Sequence, residues 1–165
     1  MKTTVQIVPV APLWRRLAAM VYDVLAVVAI VMVVGYVCQR ATGGTVVSAD
    51  GHVIAWWYQP LQALVVAAYF LASWLRGGQT LGMRPWRIRI TDTTGQLLRP
   101  ARAVLRLVVG ALPLLLLALS HVMPLRFALW APVIGWGAIM LPTLFDARRR
   151  GLHDMAAGSE VRRIV

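Results

Sequence analysis

Acidic residues and cysteine are both scarce in this chain of 165 residues. A single cysteine, Cys38, excludes an internal disulfide framework and a zinc site built from cysteines. Six acidic residues stand against 17 basic ones, and charged residues make up only 14% of the chain, whereas a soluble domain has about 25%. The composition therefore argues against a soluble globular enzyme, and the 59% of apolar residues excludes intrinsic disorder.

Sequence signatures of catalysis are absent as well. The chain has no G-x-S-x-G nucleophile elbow and no H-E-x-x-H metal motif. Residues 77–82 resemble a phosphate-binding loop only superficially, because the GK[ST] ending is lacking. His52 and His121 have no carboxylates at ligand spacing. We therefore expect neither an enzyme, nor a metal site, nor a bound cofactor.

Apolar residues occur instead in long runs. Mean hydropathy is +0.70, and a membrane-spanning helix needs about 20 mostly apolar residues. Four runs reach or approach this length, over residues 17–38, 53–75, 107–122 and 127–145. They predict an all-α integral membrane protein, a single domain over residues 1–165 with four transmembrane helices. Three spans are the alternative, with the short third run, which contains Pro113, lying in the membrane interface.

The basic residues predict an orientation. Fifteen of the 17 lie in three segments, up to residue 16, between residues 76 and 106, and from residue 148 onwards, whereas Arg40 and Arg126 lie elsewhere. Short loops rich in lysine and arginine stay in the cytoplasm, so the pI near 11.5 reflects topology rather than nucleic-acid binding. We expect a protein of a bacterial-type inner membrane with both termini cytoplasmic and with anionic lipid head groups as partners.

The segment between the second and third runs contains a strand pattern. Residues 86–91 alternate apolar and polar, residues 92–95 read as a turn, and residues 96–98 are a candidate return strand. This predicts a small cytoplasmic β-hairpin between helices 2 and 3. Its apolar side chains would face the bilayer or the helix bundle, and its arginines would meet lipid phosphates. The hairpin is then a membrane anchor or, alternatively, a binding lip over a cavity.

One acidic residue lies inside an apolar run. Asp23 is about 9 Å past the start of the first run, where an unpaired carboxylate is costly. Arg16 shares its helix face, and two further arginines one turn apart begin the third run from the same side. We therefore expect an interhelical charge cluster whose members are Arg16, Asp23 and Arg106 or Arg102. Such a carboxylate is either a proton or cation site or a latch that fixes helix register.

Three short segments carry a recognisable pattern, namely Arg16 and Asp23 within residues 15–23, Gly78, Thr80 and Gly82 within residues 78–84, and His153 and Asp154 within residues 150–159. Together they resemble the RDD family, membrane proteins named for one arginine and two aspartates. The resemblance covers about residues 14–161 and implies a multi-pass membrane protein, usually with three spans. Transport of ions or small solutes is the activity that it implies, with sodium–proton exchange for some members.

The leading functional hypothesis is transport of a cation, a proton or a small solute. Asp23 is the candidate coupling carboxylate, with Arg16, Arg106 and Asp154 as partners. A chain of 18.2 kDa is small for a complete pathway, so this function requires a homo-oligomer. The alternative is a non-catalytic membrane scaffold or accessory subunit, whose basic inner face binds anionic lipid or a partner protein.

Overall fold

The computed structural model describes residues 10–48, 50–51, 53–122 and 124–164. Within these residues the elements, in chain order, are helix α1 (Leu13–Ala41), helix α2 (Tyr58–Arg76), strand β1 (Ile88–Asp92), helix α3 (Pro100–Ala111), a 3-10 helix (Leu112–His121), helix α4 (Leu125–Ala128), helix α5 (Trp130–Met140), a second 3-10 helix (Leu141–Leu144), helix α6 (Leu152–Ala157) and strand β2 (Ser159–Arg163). His52 and the side chain of His121, considered above as metal ligands, lie outside this description.

Three helical segments of the described chain are long and apolar enough to cross a membrane, over Leu13–Ala41, Pro100–Ser120 and Leu125–Leu144. This confirms the apolar helical character expected from hydropathy. Helix α2 does not reach the same apolar character, because Gln59, Pro60 and Gln62 lie in its first turns. Helices α1 and α3 begin four and seven residues before their apolar runs, because polar flanking residues continue the helical backbone, whereas α2 begins only at Tyr58, inside the predicted run of residues 53–75.

Prolines change the type of helix in the last two apolar segments without ending it. Helix α3 continues as a 3-10 helix with Pro113 at its second residue, and Pro142 has the same position in the second 3-10 helix. Proline lacks the backbone N–H that the α-helical pattern needs, and the tighter 3-10 turn accommodates this. Trp136 Nε1 donates to the Gly110 carbonyl at 2.9 Å, so the two segments pack together as a helical hairpin.

The strand pattern is correct, but the predicted hairpin is wrong in its second strand. β1 pairs antiparallel with β2, with Ile90 opposite Val161. Residues 96–98 form no strand: the Asp92 N–H donates to the Gln96 carbonyl at 2.8 Å in a tight turn. Leu98 is then buried in the core, and α3 begins at Pro100. The segment is therefore too short to return along β1.

The core lies where the sheet meets the first turns of α1 and α3 and the end of α2. We call this whole region of the molecule the sheet end. Ile88 and Ile90 of β1 are fully buried there, against Ala19, Ala103 and Trp74. Burial of each isoleucine contributes about 1.5–3 kcal/mol. Backbone hydrogen bonds protect both edges of the sheet, from the Ile90 N–H to the Gly78 carbonyl and from the Ala11 N–H to the Val161 carbonyl, at 2.8 and 2.9 Å. The apolar side of β1 therefore faces the bundle.

Candidate functional site

Asp23 lies in the third turn of α1, about 15 Å along the helix from Leu13. Its side chain is buried and accepts three hydrogen bonds. Thr80 Oγ1 donates to Oδ2 at 2.6 Å, while the Gly82 N–H and the Tyr69 hydroxyl donate to Oδ1 at 3.0 and 3.1 Å. All three donors are uncharged. Both carboxylate oxygens therefore accept hydrogen bonds from uncharged groups, but the carboxylate has no cationic partner among the described residues.

Two glycines let the loop of residues 78–82 approach α1 and β1 closely. A Cβ at position 82 would lie 2.7 Å from both the Asp23 backbone nitrogen and its carboxyl carbon. Gly78 has φ +69°, and a Cβ there would lie 2.6 Å from the Ile90 carbonyl oxygen. The Tyr69 hydroxyl accepts from the Leu81 N–H at 3.0 Å and so holds the loop from the α2 side. The spacing G-x-T-x-G thus delivers one hydroxyl and one N–H to the same carboxylate.

A second buried carboxylate, Asp154 of α6, has two arginine partners. Arg16 Nη1 of α1 donates to its Oδ2 at 3.0 Å, and Arg106 Nη1 of α3 donates to its Oδ1. Arg106 Nη1 also donates to Ser159 Oγ at 2.7 Å. The Gly151 N–H donates to Asp154 Oδ2 at 3.1 Å, which caps the start of α6. We call Arg16, Arg106 and Asp154 the charge triad; it joins α1, α3 and α6.

The electrostatics of the charge triad favour ionised Asp154 and neutral His153. Burial of Asp154 opposes ionisation, but the guanidinium groups of Arg106 and Arg16 outweigh it and hold the pKa of the carboxyl well below its usual range. Burial and the nearby Arg106 lower the pKa of His153 to about 4. Two arginines against one carboxylate leave the buried triad with one net positive charge.

The structure separates the charge cluster expected from the sequence into two sites. It brings Arg16 and Arg106 to Asp154 rather than to Asp23, and within the described residues Asp23 contacts no arginine. Arg102 is exposed on α3 near Gly158 and does not join either carboxylate. The physical reason is that Thr80 and the loop backbone occupy the hydrogen-bonding positions of the Asp23 carboxylate. Helix α6 places Asp154 next to the two arginines instead. His153 lies beside Asp154, with Nε2 3.6 Å from Oδ1.

Two aromatic residues of α2 contribute to these sites and were not predicted to do so from the sequence. Tyr69 donates to Asp23, and the Trp74 ring lies 5.4 Å from the Arg106 guanidinium in a cation–π contact. A phenol in the middle of an apolar helix is a signal that could have identified Tyr69, since its hydroxyl needs a partner. Helix α2 thus connects the two buried carboxylate sites.

Fold and sites together define a helical membrane-type protein in which two buried carboxylates fasten the helices to a small sheet at one end. The model of the RDD family matches residues 10–158, and the chain belongs to this family. The matched range includes Arg16, Asp23 and Asp154. No curated protein and no solved structure matches the chain.

Proposed function

We propose that the protein is a non-enzymatic transporter that carries a proton or a monovalent cation across a bacterial-type inner membrane. Asp23 is the carboxylate that binds it. The observation that carries this proposal is the contrast between Asp23 and the other buried acids, Asp154 and Glu160, which both pair with arginines. Asp154 is compensated by two arginines, whereas Asp23 has only uncharged partners. An ionised carboxylate inside a span lacks a neutralising charge, which a proton or a cation would supply.

The groups around Asp23 suit this role chemically. Thr80 and Tyr69 place hydroxyl oxygens next to the carboxylate. Carboxylate and hydroxyl oxygens are hard ligands of the kind that hard cations prefer. The same hydroxyls can reorient when the carboxyl group gains a proton, because each hydroxyl both donates and accepts.

The transport proposal includes a topology. We place α2 across the membrane as a fourth span, with both termini in the cytoplasm. An even number of spans puts the basic segments at the start of α1, between α2 and α3, and after residue 148 on one side. A single chain of this size encloses little space, so the proposal also requires a homo-oligomer.

The experiment is ion flux into proteoliposomes that contain purified wild-type protein at matched amounts. A pH-sensitive dye inside the vesicles reports proton movement when a sodium or potassium gradient is applied. Wild type should carry flux, and Asp23→Asn should abolish it while the protein stays folded. Asp50→Asn is the matched control, because it removes an exposed carboxylate of the loop between α1 and α2, and it should keep wild-type flux.

A second candidate function is a scaffold or accessory subunit, in which Asp23 is a latch. Its three hydrogen bonds from α2 and from the loop favour this function, because they fix the position of that loop on α1. A scaffold predicts no flux in wild type for any cation tested. It also predicts that Asp23→Asn lowers the amount of folded protein. That pair of results would contradict the transport proposal.

A further inference from the structure

A groove of about 520 Å³ lies at the sheet end, and neither Asp23 nor Asp154 lines it. It is formed by three separate parts of the chain. Its main lining residues are Trp14 and Arg15 of α1, Trp86 and Arg87 before β1, and Arg163 and Ile164 at the end of β2. Pairing of β1 with β2 is what brings the last two residues to the start of α1.

The charge of the groove is of one sign. Arg15, Arg87 and Arg163 line it, and no carboxylate does so among the described residues. Arginine binds phosphate oxygens through two parallel N–H groups, which gives directional recognition of a phosphate. Arg15 Nη1 donates to the Trp86 carbonyl at 3.2 Å, which fixes its side chain along the groove. The groove is therefore complementary to an anionic, phosphate-bearing group.

Arg87 has a backbone conformation that L-residues rarely adopt, with φ +48°. Hydrogen bonds on both sides hold it there: its N–H donates to the Arg84 carbonyl at 3.1 Å, and its carbonyl accepts from the Ile164 N–H at 2.8 Å. Strained residues of this kind are concentrated at binding sites, where surrounding structure fixes them. Glycine would relieve the strain, but it would remove the charge from the groove.

Aromatic side chains place the groove at the level of lipid head groups. Trp14 is 56% exposed and lies three residues before Leu17, where the first apolar run begins. Its ring meets Trp86 edge to face at 5.5 Å, and Trp86 also contacts Tyr22 further along α1 at 6.0 Å. Tryptophan and tyrosine prefer the membrane–water interface. One side of the groove therefore continues into the apolar surface of a membrane-spanning helix.

We infer that this groove binds the head group of an anionic phospholipid. The phosphate lies among Arg15, Arg87 and Arg163, and the acyl chains follow the exposed apolar face of α1 beyond Trp14. A soluble phosphate compound would use the arginines but not the aromatic side and the adjoining apolar helix. This inference does not depend on the transport proposal, because none of the three arginines contacts Asp23 or Asp154.

The test measures phosphatidylglycerol and phosphatidylcholine binding to the purified full chain in neutral detergent by native mass spectrometry. Wild type should prefer phosphatidylglycerol. Because each arginine that meets the phosphate of a bound anionic lipid changes affinity about fivefold, the double variant Arg15→Gln/Arg163→Gln should bind phosphatidylglycerol about 25-fold more weakly. The matched control is Arg76→Gln/Arg99→Gln, two exposed arginines of the sheet end that do not line the groove. The affinity of this control variant for phosphatidylglycerol should change by less than about threefold.

The single variant Arg163→Gln separates loss of binding from loss of folding, because this side chain is exposed at the end of β2 and its replacement should leave the fold intact. It should weaken binding about fivefold with an unchanged unfolding temperature. Equal binding of the two lipids, or equal losses in the groove and control variants, overturns the inference. Displacement of the lipid by millimolar inorganic phosphate would assign the groove to a soluble phosphate compound and would also overturn it.

Discussion

Gly82 and Asp23 are in direct backbone contact. The Gly82 N–H donates to Asp23 Oδ1 at 3.0 Å, and a Cβ at position 82 would lie 2.7 Å from the Asp23 backbone nitrogen. The same Cβ would also overlap the Ala19 carbonyl oxygen one turn earlier. The loop that follows α2 therefore touches the backbone of α1 itself, and no side chain fits between them.

Gly82→Ala should destabilise the protein by about 2 kcal/mol, because two of the three atoms that the new methyl group meets are backbone atoms of α1, which cannot move aside. The matched control is Gly137→Ala in α5, where nothing lies within 4 Å of the added Cβ. Thermal unfolding of the two variants in detergent should show a lower midpoint for Gly82→Ala alone. Equal midpoints would contradict the close contact.

Asp154→Asn should destabilise the fold by about 3–5 kcal/mol, since it leaves Arg16 and Arg106 buried without a counter-charge. Asp146→Asn is the comparison, because Asp146 pairs with Arg150 near the surface in an i, i+4 bridge. It should cause a much smaller loss. Denaturant unfolding of both variants measures the difference, and similar losses would show that the charge triad is not a stability determinant.

His153 makes stability depend on pH. Burial and the nearby Arg106 lower its pKa from 6.5 in the unfolded chain to about 4 in the folded protein. Between these values the unfolded chain binds a proton that the folded protein does not bind. The free energy of unfolding is therefore highest above pH 6.5 and falls as the pH drops towards 4. Protonation of His153 in the unfolded chain lowers it by about 2 kcal/mol at pH 5.

The measurement is the free energy of unfolding at several pH values from 7.5 to 5, for wild type and His153→Gln. The variant has no imidazole to protonate, so its stability should change less over this range. The lower limit of pH 5 keeps the protonation of Asp154 out of the experiment, since the unfolded carboxyl titrates near 3.8. Identical slopes would exclude His153 as the source.

Asp23 and Thr80 should be energetically coupled. Thr80→Val keeps the shape of the side chain but removes the hydroxyl that donates to Asp23 Oδ2 at 2.6 Å. In a double-mutant cycle with Asp23→Asn, the combined loss of stability should differ from the sum of the single losses by about 0.5–3 kcal/mol. Thr80→Ser retains the donor and should restore most of the stability. Additive losses would mean that the hydrogen bond between the two side chains does not contribute to stability.

Hydropathy and strand alternation predicted much of this fold. The apolar runs located the long helices, and alternation over residues 86–91 predicted β1 with Ile88 and Ile90 on one face. These signals are local, so they can be read from neighbouring residues. The partner of β1 could not be read in this way, because β2 lies about 70 residues later and Ser159–Arg163 has only one strongly apolar position, Val161.

The two carboxylate sites show the same limit. Sequence placed Arg16, Asp23, Arg106 and Asp154 at one end of the helices, but proximity alone does not decide which charge meets which. The loop geometry around Gly78 and Gly82 decides it by bringing Thr80 to Asp23. That geometry includes a hydrogen bond from the Ile90 N–H of β1 to the Gly78 carbonyl, which hydropathy and strand alternation do not reveal.

The charge triad also sets an order of events during biosynthesis. Arg16 and Asp154 are separated by 138 positions, so at about 5–20 residues per second the ribosome makes Asp154 roughly 7–30 s after Arg16. During this interval α1, α3 and the helices after it are made, while the guanidinium groups of Arg16 and Arg106 have no carboxylate from α6. The nascent protein must therefore keep these arginines in water or among lipid head groups until α6 and β2 fold back. The return of α6 to α1 and α3, rather than insertion of the last apolar helix, is therefore the step that completes the native helix arrangement.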